Sequence, residues 1–329
     1  MHAPGRAAHD RTKRSRRAFL RALPFLLPNL VGFLVFTLVP VAACFALGLT
    51  RYRLAPITSL QDLCDQVRFV GLGNFIRLLG WHAEGGRLVA NDPLFWRYLG
   101  NTLFLMLGIP LSIGGSLLLA LLLNQRLRGI AIFRTAYFLP TVSSAVAVCI
   151  VWKWMFHQQP NEIGLINSLL LRVGVATPPN WLGSPAWAKP AFIIMTLWAT
   201  IGGYNCVLYL AGLQSVPREL HEAAALDGAG PWARLRHITW PLLSPTTFFV
   251  TTMSIISGFQ GSFLFTAAVL MTQGGPARST TTLMLSIYEY AIAYHEFGYA
   301  CAMACVLFLL VFAFTLFNWR YGQRLVHYQ

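Results

Sequence analysis

Long apolar runs, separated by short polar segments, dominate the pattern of this chain. The runs predict membrane-spanning helices at about residues 23–49, 99–123, 132–156, 188–213, 242–271 and 298–319. Each run exceeds 20 residues, and a bilayer core of about 30 Å needs about 20 helical residues at about 1.5 Å per residue. The pattern therefore predicts an all-α, polytopic integral membrane protein with six transmembrane helices.

Composition supports a membrane protein. The chain has 329 residues, of which 56% are hydrophobic and 11% are charged, whereas about a quarter of the residues of a soluble domain are charged. Five of the six cysteines lie inside apolar runs, so no disulfide framework is implied. Cys301 and Cys305 lack the further ligands that a metal site needs.

The basic residues are distributed unevenly between the two sides of the predicted membrane. The N-terminal tail (1–22), the later segments on its side of the membrane and the C-terminus together carry 15 of the 25 Lys and Arg residues. This asymmetry predicts that both termini are cytoplasmic in a multi-pass protein of the cell membrane. Ser15–Leu20 also matches a twin-arginine export signal, but a cleaved signal has an apolar core of about 7–15 residues. The run 23–49 is about twice as long, which favours a membrane anchor, and residues 23–329 are then one transmembrane domain.

The polar segment 217–241 has a helix-turn-helix pattern of its own. Pro217 and Glu219 are typical of a first helical turn. Gly228 and Gly230 predict a break, after which Pro231 opens a second short helix. A DNA-binding helix-turn-helix is the alternative, but apolar runs on both sides leave no soluble domain around the segment, so nucleic acid is not an expected partner.

The same segment carries a family resemblance, which further stretches of the chain extend. It resembles the E-A-A, D-G-A and I-x-x-P-L loop of ABC importer permeases, through Glu222, Ala223, Ala224, Asp227, Gly228, Ala229, Ile238, Pro241 and Leu242. Residues 70–79, 271–276 and 280–283 are similar to the carbohydrate (maltose/glycerol-3-phosphate-like) branch of these permeases. The proline-rich start of the first span, 23–28, is similar to the first of the two permeases that such systems encode.

The resemblance implies a type I importer fold and a set of partners. The expected partners are a second permease subunit, two cytoplasmic ATP-binding subunits and an extracytoplasmic solute-binding protein. In this interpretation loop 217–241 couples the permease to the ATP-binding subunits, and Glu222–Gly228 forms the docking helix. Membrane lipid surrounds the chain, and the resemblance implies no cofactor.

The chain lacks the residues for chemistry of its own. Its three lysines, Lys13, Lys153 and Lys189, do not follow glycine, so there is no phosphate-binding loop. The His-Glu pairs at 221–222 and 295–296 lack the second histidine of a zinc-protease motif. The chain is therefore not predicted to be an enzyme or to hold a metal, and ATP hydrolysis is expected in partner subunits. A secondary carrier or a channel is the alternative, although the spans lack the central ionisable residues common in those classes.

Uncharged polar and aromatic residues in the fourth and fifth spans are the candidate solute site. They are Trp198, Tyr204, Asn205, Ser257, Gln260 and Thr266. Aromatic faces with hydroxyl and amide partners suit a neutral sugar or polyol, since an unpaired buried hydroxyl costs about 1–3 kcal/mol. On a continuous helix Trp198 and Tyr204 would lie on one side about 9 Å apart, with a sugar ring between them. The alternative role for each residue is ordinary packing between helices.

Overall fold

The computed structural model describes residues 22–53, 67–125, 128–159 and 162–322. The basic tail predicted at 1–22, apart from Ala22, lies outside the described residues. Arg126, Arg324 and Cys64 lie outside them as well.

The described chain is mainly helical, with three short antiparallel hairpins. The helices are α1 (Ala22–Gly48), α2 (Gly73–Leu79), α3 (Pro93–Met106), α4 (Gly108–Leu123), α5 (Ile130–Val142), α6 (Ala145–Met155), α7 (Leu165–Arg172), α8 (Pro185–Ile201), α9 (Tyr204–Ser215), α10 (Arg218–Leu226), α11 (Pro231–Arg234), α12 (Trp240–Leu242), α13 (Ser244–Gln260), α14 (Ser262–Ala267), α15 (Leu283–Tyr288) and α16 (Phe297–Gly322). The strands are β1 (Thr50–Tyr52), β2 (Val67–Phe69), β3 (Trp81–Glu84), β4 (Arg87–Ala90), β5 (Gln158–Gln159) and β6 (Glu162–Ile163), paired β1–β2, β3–β4 and β5–β6.

Five helical stretches of the described chain are long and apolar enough to cross a membrane. They are Ala22–Gly48, Pro93–Leu123, Pro185–Ser215, Ser244–Thr272 and Phe297–Arg320. A sixth crossing is available if the bent pair α5 and α6 counts as one span. The predicted all-α membrane fold is confirmed, and its apolar stretches lie over the six predicted runs.

The third span, predicted as one helix over 132–156, consists of two helices. Helices α5 and α6 meet at an angle of 98°, and Ser143 between them has extended backbone (φ −72°, ψ 146°). Pro140 lies inside α5, where its ring and missing N–H weaken the last turn of a helix. The proline and the following Ser143–Ser144 pair are the sequence signals for this bend.

The fourth span is also interrupted, at Gly202–Gly203. Helix α8 ends at Ile201 and α9 begins at Tyr204. A Cβ atom on Gly202 would collide with the carbonyl oxygen of Tyr137 in α5. The two glycines therefore let the break of the fourth span pack directly on the backbone of the third.

The first and last spans pack against each other. A Cβ atom on Gly48 would lie 3.4 Å from the backbone of Ala302 in α16, so small residues bring the two helices close together. The side-chain amide of Asn74 in α2 donates to the carbonyl oxygens of Gly48 (2.8 Å) and Thr50 (2.9 Å). Helix α2 thereby satisfies carbonyl groups at the C-terminal end of α1.

Buried polar contacts order the end of the molecule at which α3 begins. The Asp92 carboxylate accepts from the backbone N–H groups of Leu94 (3.0 Å) and Phe95 (3.2 Å), so it caps α3. Its second oxygen accepts from the hydroxyl of Tyr299. Asn101 donates to the carbonyl oxygens of Arg278 and Thr281, both at 2.9 Å, and fixes the loop before α15 against α3.

Candidate functional site

A cavity of about 300 Å³ lies between α3–α4, α8–α9 and α13–α14. Its lining combines apolar side chains and glycines with hydroxyl and amide groups. The polar lining residues are Ser112, Thr141, Thr196, Thr200, Tyr204, Asn205, Ser254 and Ser257.

The helix interruptions shape this cavity. Tyr204 and Asn205 open α9 directly after the Gly202–Gly203 break, and Gly261, with a left-handed backbone (φ +60°), separates α13 from α14. Leu107, between α3 and α4, keeps a right-handed helical backbone (φ −60°, ψ −19°). Irregular backbone at membrane depth is tolerated where it is buried in protein or lines a cavity.

The polar side chains are partly satisfied by each other. The hydroxyls of Ser112 and Thr200 are 2.7 Å apart, and the amide of Asn205 donates to the Ser254 hydroxyl at 3.3 Å. The hydroxyl oxygen of Thr196 is buried and has no hydrogen-bond partner among the described residues.

No Asp, Glu, Lys, Arg or His is among the residues that line the cavity in the described chain. An ionised ligand would lose its hydration without gaining an opposite charge, which is costly in a low-dielectric site. The arrangement therefore favours a neutral, hydroxyl-rich ligand over a charged one.

The structure brings together three of the six residues predicted for this site. Tyr204, Asn205 and Ser257 line the cavity. Trp198, Gln260 and Thr266 are not among its lining residues. Trp198 instead packs edge to face on Trp152 of α6, with ring centroids 5.7 Å apart. The expected sugar position between Trp198 and Tyr204 assumed a continuous helix, and the Gly202–Gly203 break removes that premise.

Sequence reasoning missed the contribution of the second and third spans. Ser112 in α4 and Thr141 in α5 line the cavity together with Thr196 and Thr200 of α8. The sequence shows Ser and Thr residues inside the apolar runs. It does not distinguish those that line a cavity from those that only pack between helices. Nothing in the spacing of these residues indicated which of them meet.

Segment 217–241 forms the helix-turn-helix that its pattern predicts. Helix α10 ends in a Schellman motif, in which Gly228 N–H donates to Ala225 O (3.1 Å) and Ala229 N–H donates to Ala224 O (2.8 Å). Gly228 has the left-handed backbone that this motif requires (φ +77°). Pro231 then stands in the first turn of α11, as predicted.

This segment has no core of its own within the described chain. No residue of α10 or α11 is buried, and Leu226 and Trp232 expose 90% and 72% of their surface. The predicted residues Glu222, Asp227 and Gly228 are exposed as well. Large apolar side chains in an otherwise polar loop are typical of a protein interface.

The segment is nevertheless firmly joined to the membrane domain. After α11 the chain continues as a π-helical turn (Leu235–Thr239) into α12, which carries Pro241, and then into α13. Leu243 between α12 and α13 is 1% exposed and packs with Tyr209 of α9 in one hydrophobic core. Leu243 thereby connects the end of this segment to α9 and α13, the two helices that present Asn205 and Ser254 to the cavity.

No group of three or more metal-ligating side chains is placed to hold an ion in residues 22–53, 67–125, 128–159 and 162–322. The two sites described above are thus a neutral polar cavity and an exposed helical corner.

Comparison with known proteins gives consistent matches over most of the chain. The model of the family described as "Binding-protein-dependent transport system inner membrane component" matches residues 112–327. The lactose transport system permease protein LacF of Rhizobium radiobacter is 37% identical over 293 residues, which cover 87% of this chain and 89% of LacF. The arabinooligosaccharides transport system permease protein AraP of Bacillus subtilis (strain 168) is 33% identical over 302 residues, 91% of this chain and 88% of AraP.

A solved structure has the same fold. One chain of a bacterial alginate ABC transporter, crystallised with an alginate pentasaccharide-bound periplasmic protein, superposes with a TM-score of 0.75. The match covers 94% of this chain and 96% of that chain at 21% identity. At that identity the likeness concerns the fold.

Proposed function

Because the chain belongs to the family of binding-protein-dependent transport system inner membrane components, it is a membrane-embedded permease, and we propose that it imports a neutral saccharide or polyol. Family members of this kind are transport components and not enzymes, so the chain forms part of a translocation path. The family places it in an ABC transporter, in which separate subunits hydrolyse ATP. A carrier or channel without an ATPase does not fit this membership.

The cavity between α4, α8–α9 and α13 supports the proposed solute class. Its eight hydrogen-bonding side chains and the absence of charge among its lining residues suit hydroxyl groups. LacF and AraP, whose names specify lactose and arabinooligosaccharides, are consistent with this class. In this proposal Tyr204, Asn205 and Ser257 contact the solute, and a second permease supplies the facing wall.

The partners and orientation belong to the same proposal. Two cytoplasmic ATP-binding subunits act on the complex, one of them through α10–α11, where Leu226 and Trp232 would be covered by the bound subunit. An extracytoplasmic binding protein delivers the solute to the opposite end. The surplus of basic residues on the side of segment 217–241 supports a cytoplasmic position for that segment and for both termini.

Purification of the tagged chain from its own cells tests the assembly. Recovery of one further permease and an ATP-binding subunit in stoichiometric amounts is the expected result. A chain that transports solute after purification alone, with no ATP-binding subunit, would contradict the proposal.

Uptake by the reconstituted complex tests the solute class. A neutral disaccharide and the matched disaccharide carrying a uronic acid should be compared at equal concentration with the same binding protein. We expect uptake of the neutral sugar and little uptake of the acid. Preferential uptake of the acid would overturn the assignment of a neutral solute.

A further inference from the structure

A second cavity, of about 270 Å³, lies at the end of the molecule opposite segment 217–241. It is formed where α1 ends, α2 runs across the surface and α16 begins, and we call it the arginine pocket. Its charged lining residues are Arg51, Arg53, Arg77 and Glu296. The far end of α16 lies against Phe248 near the start of α13, so the two ends of this helix mark opposite membrane faces.

Positive charge exceeds negative charge in the arginine pocket. Glu296 accepts from Arg53 at 3.2 Å and from Arg77 at 2.7 Å, so one carboxylate is shared by two guanidinium groups. Partial burial opposes the charge of Arg77, but the hydrogen bond and charge of Glu296 outweigh it and raise the pKa of Arg77. The third guanidinium, Arg51, has no ion pair with a described residue. The three arginines carry three positive charges, and Glu296 and the buried Asp92, which accepts from Tyr299, carry two negative charges. Among these described groups one positive charge is therefore uncompensated.

Helix α2, which supplies Gly73, Asn74 and Arg77 to the pocket, also has an exposed apolar face. The N-cap residue Leu72 and the helix residues Ile76 and Leu79 are spaced i, i+4 and i+7, and they expose 63%, 60% and 40% of their surface. Asn74 and Leu78 on the other face of the helix are buried against the protein. A short helix with its apolar face turned outward is typical of the membrane interface.

The pocket lies near the ends of two membrane spans, where lipid headgroups are expected. Arg51 and Arg53 lie three and five residues after the first span ends at Gly48, and Glu296 directly precedes the start of the last span at Phe297. Guanidinium groups bind phosphate oxygens with matching fork geometry. The acyl chains of a lipid held there would lie beside the exposed apolar side chains of α2.

We propose that the arginine pocket binds the phosphate of an anionic phospholipid in the membrane leaflet opposite segment 217–241. Arg51 and Arg53 contact the phosphate, Arg77 is held in place by Glu296, and Ile76 contacts the acyl chains. The bound lipid would fasten α2 and the adjoining ends of α1 and α16 to the membrane.

Native mass spectrometry of the delipidated full-length chain tests this site directly. Phosphatidylglycerol and phosphatidylcholine with identical acyl chains are titrated separately, and the dissociation constant of the first bound lipid is measured. We expect the wild type to bind phosphatidylglycerol about 10-fold more tightly or better, since each basic residue near an anionic headgroup contributes about 1 kcal/mol. The double variant Arg51→Gln/Arg53→Gln should lose this preference.

A matched control separates the pocket from general charge. Arg87→Gln/Arg172→Gln removes the same charge from two exposed arginines outside the pocket, in β4 and α7, and it should keep the preference. Equal loss in both double variants would overturn the proposal. Ile76→Gln should weaken phosphatidylglycerol binding a few-fold, whereas Leu88→Gln, on the exposed β4 strand, should not.

Two further results would assign the pocket to another occupant. If inorganic phosphate at millimolar concentration displaces the lipid completely and Ile76→Gln has no effect, the site takes a free anion. If Arg51→Gln/Arg53→Gln weakens binding of the solute-binding protein in membranes of phosphatidylcholine alone, the pocket receives an acidic side chain of that protein. Either result would contradict the lipid site.

Discussion

Replacement of Gly228 tests the coupling role proposed for α10–α11. Gly228 closes the Schellman motif of α10 with a φ of +77°, and a Cβ atom there would meet no described atom within 4 Å. A side chain at this position therefore strains the backbone without a steric clash. Gly230, two residues later, has equally open space but a φ of −70°.

The size of the effect follows from the backbone conformation. A non-glycine residue held in the left-handed region costs about 1–3 kcal/mol, with β-branched residues at the upper end. If the ATP-binding subunit recognises only the intact corner, Gly228→Thr should weaken its binding about 5- to 150-fold. A complete switch of the permease needs about 5.5 kcal/mol of differential binding, so a loss of this size would leave the switch incomplete.

The assay measures coupling and assembly together. Binding of labelled ATP-binding subunits to the permease in nanodiscs gives the affinity, and solute taken up per ATP hydrolysed in proteoliposomes gives the coupling. Both should fall in Gly228→Thr. Gly230→Thr introduces the same side chain at a helix N-cap, where threonine is favourable, and both quantities should stay within about 2-fold. Gly228→Asn should be intermediate, because asparagine tolerates the left-handed region.

The outcome that contradicts this reasoning is specific. If Gly228→Thr retains wild-type affinity and coupling, the corner of α10 is not the element that the ATP-binding subunit recognises. If Gly228→Thr and Gly230→Thr fail to the same extent, the loss reflects bulk in this loop and not the conformation of Gly228.

Three further predictions concern the cavity and the stability of the spans. Asn205→Leu should raise the half-saturating solute concentration about 10-fold, because a solute hydroxyl left without its partner costs about 1–3 kcal/mol. Gln260→Leu should change that concentration less than about 2-fold, and equal effects of the two variants would contradict the assignment of the solute site to this cavity. Gly202→Val forces a side chain against a carbonyl oxygen of α5, at a cost of about 1–3 kcal/mol or more, so the Tm in detergent should fall. Gly114→Ala adds a side chain where there is open space, so the Tm should not change. Asp92→Ala removes the cap of α3, worth about 1 kcal/mol, and leaves a buried tyrosine hydroxyl unpaired, so its Tm should fall further than that of Asp92→Asn.

The sequence was most informative where a single strong preference determines the structure. The apolar runs located the membrane helices because a bilayer demands about 20 apolar residues in each helical span. The corner at 228–231 was predictable because glycine and proline have conformational preferences that few other residues share. These features needed no knowledge of distant contacts.

The interruptions inside the spans were harder to predict. Gly202–Gly203 and Pro140 were visible in the sequence, yet glycine and proline are tolerated within transmembrane helices, so neither residue type alone indicates a break. Whether a break forms depends on the neighbouring span, here the Tyr137 carbonyl that approaches Gly202. This dependence on a distant backbone explains why the sequence suggested a continuous helix from Trp198 to Tyr204, whereas the structure has a break between them.

The cavity could be predicted only in part for a similar reason. Tyr204, Asn205 and Ser257 followed from polar groups on two adjacent spans. Ser112 and Thr141 come from spans that are close in space but distant in sequence, and hydrogen bonds such as Ser112–Thr200 join residues 88 positions apart. Helical periodicity cannot report a contact of that range.

The contact between Gly48 and Ala302 has a consequence for how the protein is made. About 250 residues separate the two helices, and synthesis at about 5–20 residues per second takes roughly 10–50 s to cover that distance. Helix α1 precedes α16 in the order of synthesis, and the two helices pack against each other. During that interval the face of α1 that later meets α16 is covered by lipid or by another protein, whereas its C-terminal end can already contact Asn74 of α2.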